Sequence, residues 1–214
     1  MNAADFRKEL ESGALLLDIR NTSNSTAGRI KGSLNIGLSG QFASWAGSLI
    51  EFGTPILLIG EDLLSINEAI RRLARVGIES VVAYLKNGIS EWIKEGYEVE
   101  THSSIGVDEL KNVMANESAL LLLDVRRKRE YDAGHIQTAI NIPLDQLGKH
   151  LHEIPRDSKL AVICTGGYRS TIAKSLLERN GFADVMNVRG GMASWQNSSC
   201  ELSKKDESTV CSIT

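Results

Sequence analysis

The residues best suited to covalent chemistry lie in one short stretch, Ala161-Val162-Ile163-Cys164-Thr165-Gly166-Gly167-Tyr168-Arg169-Ser170. An apolar run ends at a cysteine, a glycine pair follows, and a helical pattern begins after it. Ligands of open parallel sheets bind beyond the carboxyl ends of strands, where this cysteine falls. The free N–H groups and positive dipole end of the following helix attract an anion. Gly166 and Gly167 let successive N–H groups curl inward as a nest, and Arg169 adds a fixed positive charge or, in part, ties the loop to a nearby carboxylate. Such surroundings favour the thiolate, the nucleophilic form of cysteine. The stretch therefore predicts Cys164 as catalytic nucleophile, with Thr165, Gly166, Gly167, Tyr168 and Arg169 forming a substrate-binding loop.

The elements that position this loop occur twice. Leu15-Leu16-Leu17-Asp18-Ile19-Arg20 is matched by Leu121-Leu122-Leu123-Asp124-Val125-Arg126, and Ala27-Gly28-Arg29-Ile30 by Ala133-Gly134-His135-Ile136. Farther along, Gly88-Ile89-Ser90-Glu91-Trp92 is matched by Gly191-Met192-Ala193-Ser194-Trp195. In the second copy the pattern predicts strands over 119–123, 160–163 and 184–188 and a helix over 170–180. That helix carries Ala173, Leu176 and Leu177 on one stripe, with Lys174, Glu178 and Arg179 away from it. Continuous apolar strands alternating with amphipathic helices predict an α/β fold, each copy a parallel sheet flanked by helices. The copies span 1–96 and 105–196, with a linker over 97–104 and a polar, Ser-rich tail over 197–214 that is expected to be disordered.

The first copy has no nucleophile. Gly60-Glu61-Asp62-Leu63-Leu64-Ser65 stands opposite Cys164-Thr165-Gly166-Gly167-Tyr168-Arg169, and no cysteine precedes residue 164. Its role is then structural or regulatory: covering the active copy, shaping the mouth of its site, or docking a partner. The acidic pair could attract a cation, but exposed Glu-Asp pairs are as a rule simply solvated. Asp18 and Arg20 recur as Asp124 and Arg126, and Trp92 as Trp195. Features kept in a copy without a nucleophile belong to the fold rather than to catalysis. His135 reads as a histidine that fastens its turn. His150 and His152 read as lying on a helix with rings pointing apart.

The second copy resembles a rhodanese domain. The pieces in family order are Leu123-Asp124-Val125-Arg126, Glu130-Tyr131-Asp132-Ala133-Gly134-His135-Ile136, Cys164-x-x-Gly167-x-Arg169-Ser170 and Gly190-Gly191-Met192-x-x-Trp195. Gln137-Thr138 departs from the usual Pro-Gly, at a turn away from the sulfur. The resemblance implies two tandem rhodanese-like domains. It also implies a sulfurtransferase that carries sulfane sulfur on Cys164, taken from thiosulfate or a low-molecular-weight persulfide and passed to a thiol or cyanide-type acceptor, with no cofactor and no metal. The tandem, with Phe42-Ala43-Ser44-Trp45-Ala46-Gly47 in its first copy, is also similar to the paired rhodanese region that follows the metallo-β-lactamase-like domain of persulfide-oxidising proteins. A metal-dependent persulfide-oxidising partner is the expectation drawn from it. The four histidines form no His-x-His-x-Asp-His cluster that would perform that oxidation within these residues.

Composition is consistent with this reading. With 24 Lys and Arg against 27 Asp and Glu, the formal net charge is -3, which argues against nucleic acid as a partner. No apolar run approaches the roughly 18 residues of a membrane helix, and the first residues lack a signal-peptide core, so no membrane partner and a cytoplasmic location are expected. Three cysteines, Cys164, Cys200 and Cys211, are too few for a disulfide framework. The two tail cysteines could discharge Cys164 as a disulfide, although an incidental tail is the simpler reading. A cysteine phosphatase or arsenate reductase is the nearest rival chemistry, but it needs Arg six positions after Cys, where this chain has Ser170. A non-catalytic scaffold is the other rival, and the intact cysteine loop argues against it for the second copy.

Overall fold

The structure, a computed structural model, describes residues 1–21, 28–101, 103–116, 120–198 and 203. The first unit contains α1 (Ala3–Glu11), β1 (Leu15–Asp18), β2 (Leu34–Asn35), α2 (Phe42–Leu49), β3 (Ile56–Ile59), α3 (Leu63–Ala74), β4 (Val81–Tyr84) and α4 (Gly88–Lys94). The second contains β5 (Ser104–Ile105), α5 (Val107–Asn116), β6 (Leu120–Asp124), α6 (Lys128–Asp132), β7 (Ile140–Asn141), α7 (Leu144–Leu147), β8 (Lys159–Ile163), α8 (Tyr168–Arg179), β9 (Val185–Val188) and α9 (Gly191–Asn197). All pairings within the two sheets are parallel, in the orders β2-β1-β3-β4 and β5-β9-β8-β6-β7. The second order is the first with β5 added beside β9. The repeated sequence thus folds as two α/β units. Central strands β1 and β3 are buried along their whole length, as covering a parallel sheet on both faces requires.

The repeated Asp-x-Arg motif holds the carboxyl end of each sheet in the same way. Asp18 Oδ2 accepts from Arg20 Nη2 at 2.6 Å, and Asp124 Oδ2 accepts from Arg126 Nη2 at 2.6 Å. Each guanidinium also donates to the carbonyl of its glycine turn, Gly28 at 3.0 Å and Gly134 at 2.8 Å. Both pairs are buried, so each charge depends on its partner. Their duplication in a copy without a nucleophile supports the structural role.

Helix α8 departs from the sequence expectation. Of the expected stripe, Ala173 and Leu177 are buried and Leu176 is half-buried, but Ile172, Ser175 and Lys174 are buried too, the last only 3% exposed. The first unit packs against the face that the sequence leaves for solvent. There Asn35 donates its backbone N–H to Ser175 Oγ at 2.9 Å, and Arg179 Nη1 donates to Gly32 O at 3.0 Å. Lys174 pairs with Glu178. Arg29 of the first unit comes within 2.9 Å of Glu178, although off the N–H axis, and within 2.6 Å of Glu100. Burial holds the Lys174 ammonium below its ordinary pKa and pushes the Glu178 carboxyl above its own. One apolar cluster crosses the boundary, joining Leu34, Ile36 and Trp45 to Ile142, Leu144 and Ile172.

The segment expected to be a linker is also more ordered than its composition suggests. Glu100 exchanges both backbone hydrogen bonds with Arg29, at 2.9 and 2.8 Å, and Ser104 already belongs to β5. Of the tail, Asn197 ends α9, Ser198 caps it, and Ser203 exchanges two backbone hydrogen bonds with His135 at 2.9 Å each. Cys200 and Cys211 lie outside the described residues. The helix expected through His150 and His152 stops at Leu147, and a 3-10 turn follows over Leu151–Glu153. The two rings consequently lie nearly parallel, 6.4 Å apart, instead of diverging.

Candidate active site

Cys164 follows the last residue of β8, a strand whose side chains are buried from Leu160 onward, and the next three residues make the loop into α8. Gly167 adopts φ 110°, a backbone conformation that side chains disfavour, and this turns its N–H back toward the sulfur. That N–H donates to Cys164 Sγ at 3.1 Å. Ser170 Oγ lies 3.3 Å from the same sulfur and 3.1 Å from Gly167 O, so its hydroxyl proton can turn from that carbonyl to the sulfur when Cys164 is a thiolate. Cys164 is only 1% exposed, yet it lines a cavity of about 480 Å³. Cys164 thus sits at the edge of the apolar core, recessed in the cavity wall.

The loop is fastened from two sides. On one, the opening turn of α9 grips its carbonyls: Met192 N–H donates to Cys164 O at 2.8 Å and Ala193 N–H to Thr165 O at 3.0 Å. Gly191, at φ +55°, permits that approach, because an added Cβ would lie 2.2 Å from Cys164 O. On the other, Arg169 forms a two-pronged pair with Glu130, Nη1 to Oε2 at 2.6 Å and Nη2 to Oε1 at 2.7 Å. Thr165 Oγ1 bridges the same two groups, donating to Glu130 Oε1 at 3.1 Å and accepting from Arg169 Nη2 at 2.8 Å. The Arg169 guanidinium lowers the Glu130 pKa to about 2, and the carboxylate in turn raises that of Arg169.

All six residues singled out in the sequence meet here, although Tyr168 does different work from that expected. Cys164, Thr165, Gly166, Tyr168 and Arg169 line the cavity, and Gly167 supplies the N–H to the sulfur. Of the two roles read for Arg169, the structure gives the tie to a carboxylate, that of Glu130, and not a free charge aimed at substrate. Tyr168 directs its hydroxyl to Gly37 O of the first unit, 2.8 Å away, and burial pushes its pKa up to about 12. It ties the units together while its ring forms cavity wall. The cavity is completed by Gly40, Gln41 and Trp45 of the first unit and by Arg127 and Glu130.

Sequence reasoning assigned no site role to Glu130 or Gly191, while shaping the mouth of the site was one of the three roles it offered for the first unit, whose Gly40, Gln41 and Trp45 line the cavity. A signal for Glu130 was present in the repeat: Asn24 and Ser65 stand where the second copy has Glu130 and Arg169, so both partners are missing from the copy without a nucleophile. In that copy a Cβ on Gly60 would fall 2.9 Å from Ile66 Cδ1 and 3.2 Å from Ile19 Cδ1, so apolar side chains crowd the nucleophile's place. Its acidic loop is accounted for by capping: Asp62 Oδ1 accepts from Ser65 N–H at 2.7 Å at the start of α3. His135 fastens its turn, with Nδ1 2.9 Å from Tyr131 O and its ring stacked on Tyr131 at 3.7 Å.

The rhodanese-like domain model matches residues 2–95 and again residues 106–198. The chain belongs to the rhodanese-like family. It is similar to a sulfurtransferase of Allochromatium vinosum, 31% identical over 93 residues, which is 44% of this chain and 87% of that protein. It is also similar to YrkF of Bacillus subtilis, 33% identical over 91 residues, 42% of this chain and 49% of that protein. The chain thus spans about half the length of the latter relative. Among solved structures, a rhodanese-related protein of Thermoplasma volcanium is 33% identical, with a TM-score of 0.45, over 49% of this chain and 100% of that one. The two matches of the family model make the tandem one of rhodanese-like domains, with the cysteine loop in the second.

Proposed function

We infer that this protein is a sulfurtransferase carrying sulfane sulfur as a persulfide of Cys164. The observation that carries the reading is the Gly167 N–H held 3.1 Å from the sulfur of Cys164, a residue that lines a cavity shared by both domains. A hydrogen-bond donor fixed before reaction stabilises negative charge on sulfur without reorganisation during the step. The Cys164 thiolate attacks the outer sulfur of thiosulfate or of an organic persulfide. A new S–S bond forms, the donor's own S–S bond breaks, and sulfite or a thiolate leaves with the electron pair. A thiol or cyanide acceptor then attacks the terminal sulfur, and the Cys164 thiolate is regenerated. No net oxidation occurs in the cycle. Membership of the rhodanese-like family and likeness to a sulfurtransferase support the reading.

The loop geometry is also what weighs against phosphoryl chemistry. Arg169 comes five positions after Cys164 and is engaged by Glu130, leaving a short loop without the wrapping arginine that a tetrahedral phosphate needs. Transfer to cyanide, read as thiocyanate, tests the assignment against hydrolysis of an aryl phosphate by the same preparation. Thiocyanate formation that is lost in Cys164→Ser is expected. Robust phosphatase turnover without thiocyanate would overturn the assignment.

Among the described residues no helix is long and apolar enough to cross a membrane. A cytoplasmic site of action belongs to the proposal, as does a small-molecule donor paired with a thiol acceptor.

A further inference from the structure

The two domains meet at the first residue of α8. Tyr168 follows Gly167, whose N–H donates to Cys164 Sγ, and its own hydroxyl donates to Gly37 O at 2.8 Å across the boundary. Gly40 lies against the same ring, since a Cβ added there would stand 3.4 Å from Tyr168 Cζ. The seat of Tyr168 is thus the turn over residues 37–40, between β2 and α2.

That turn is held by a side chain that does not line the cavity over Cys164. Arg72 of α3 donates from Nη1 to Leu38 O at 2.5 Å and from Nη2 to Gly40 O at 2.9 Å, so one planar guanidinium spans the turn. Its Cζ also lies 5.3 Å from the centre of the Phe42 ring, at the start of α2. The second copy has no such group. Helices α3 and α8 close alike, Ile78 N–H donating to Leu73 O and Phe182 N–H to Leu177 O, so Arg72 stands where the second copy has Leu176. Leu176 packs against the apolar core. An arginine in its place, in the copy without a nucleophile, spends its guanidinium on the turn that meets the other copy's cysteine loop.

We propose that Arg72 is a positioning residue for sulfur transfer: it fixes the turn that seats Tyr168, and Tyr168 in turn fixes the loop that aims the Gly167 N–H at Cys164. This rests on the sulfurtransferase reading and gives the domain without a nucleophile a part in the reaction. Arg72 touches neither donor nor sulfur. A hydrogen-bond donor serves a reacting sulfur best when it is held in place beforehand, so a looser seat for Tyr168 lowers rate more than affinity.

The test follows two reactions of the full chain, each mapped to Cys164 by peptide mass spectrometry: sulfur loading from glutathione persulfide, and alkylation by iodoacetamide, which needs no sulfur donor. Rates are taken per folded molecule, with folding read by circular dichroism, so that a purely structural loss does not move them. Arg72→Ala slows saturated loading and alkylation about fivefold, the worth of about one hydrogen bond, and keeps KM for the persulfide within about twofold of the parent. Tyr168→Phe, which removes only the hydroxyl, has a similar effect. Because the two residues act in series, the double variant is no slower than the slower single one. Arg72→Lys, which reaches one carbonyl, recovers part of the loss. Rates within about twofold of the parent in Arg72→Ala, or losses that multiply in the double variant, overturn the proposal. Should the parent protein take up no sulfur, the sulfurtransferase reading fails, and the alkylation rates still decide whether Arg72 sets the loop.

Discussion

The pair between Arg169 and Glu130 shapes the loop without touching the sulfur. Both groups are partly exposed, at 18% and 35% of their side chains, so the pair is worth only about 1 kcal/mol of stability despite its two-pronged geometry. Its value lies in positioning. Arg169→Ala is expected to raise KM for the donor and leave the fold intact, and Glu130→Gln should do the same, since each removes one half of one fork. An unchanged KM in both would remove the pair from the site. Because the Glu130 pKa is lowered from 4.5 to about 2, the pair's contribution is fully present above pH 4.5 and is lost as pH falls toward about 2. Loop-dependent sulfur loading should therefore show no acid limb from Glu130 between about pH 8 and pH 5.

Ser170 makes a sharper prediction, because its hydroxyl lies 3.3 Å from the sulfur and is 0% exposed. Ser170→Ala removes one of the two groups that hydrogen-bond Cys164 Sγ and should slow sulfur loading about tenfold with the far-ultraviolet circular dichroism unchanged. Loading at the parent rate would leave Gly167 N–H as the only effective partner of the sulfur. The six loop residues were legible from local sequence because a strand end, glycines and a helix start are written consecutively. Glu130 was not, because its partner Arg169 lies 39 positions away and only the fold brings them together.

Among the elements, α9 is the one whose role in the site is easiest to overlook. Its first turn supplies two N–H groups to the carbonyls of Cys164 and Thr165, and Gly191 makes room for them. Gly191→Ala must hold a side chain at φ +55° and place a Cβ 2.2 Å from Cys164 O. It should destabilise the protein by more than about 1 kcal/mol in urea and lower sulfur loading in the fraction that remains folded. Parent-like stability would mean that the loop is not held by α9. Helix α8 shows the limit of periodicity as a guide. Its apolar stripe locates the core of its own domain, but Lys174 and Ser175 are buried by a strand 140 positions earlier. A buried lysine paired with Glu178 looks, in sequence, like an ordinary i, i+4 surface pair.

Taken whole, the molecule is two copies of one fold joined across a face that the repeat alone does not reveal. The repeat gives each sheet its strand order, and the fold class follows from it. The docking of one copy on the other rests on Tyr168, Ser175, Arg179 and the shared apolar cluster, none of which has a sequence signature of its own. Since that cluster is continuous from Leu34 and Trp45 to Ile142 and Ile172, the domains should unfold together. Urea transitions followed by tryptophan fluorescence and by circular dichroism are expected to coincide in one step. Two separated transitions would show that the shared face contributes little.

A domain without a nucleophile then has a clear physical use: it walls one side of the cavity and fixes Tyr168, so that a sulfur in one copy reacts in a space made by both. The central claim is that this sulfur accepts another. Mass spectrometry of the full chain after brief exposure to thiosulfate or glutathione persulfide, with peptide mapping, tests it most directly. One added sulfur on Cys164, absent in Cys164→Ser and removed by a thiol, is the result predicted. Cys164 left unmodified by every donor, or sulfur found only on Cys200 or Cys211, would contradict it.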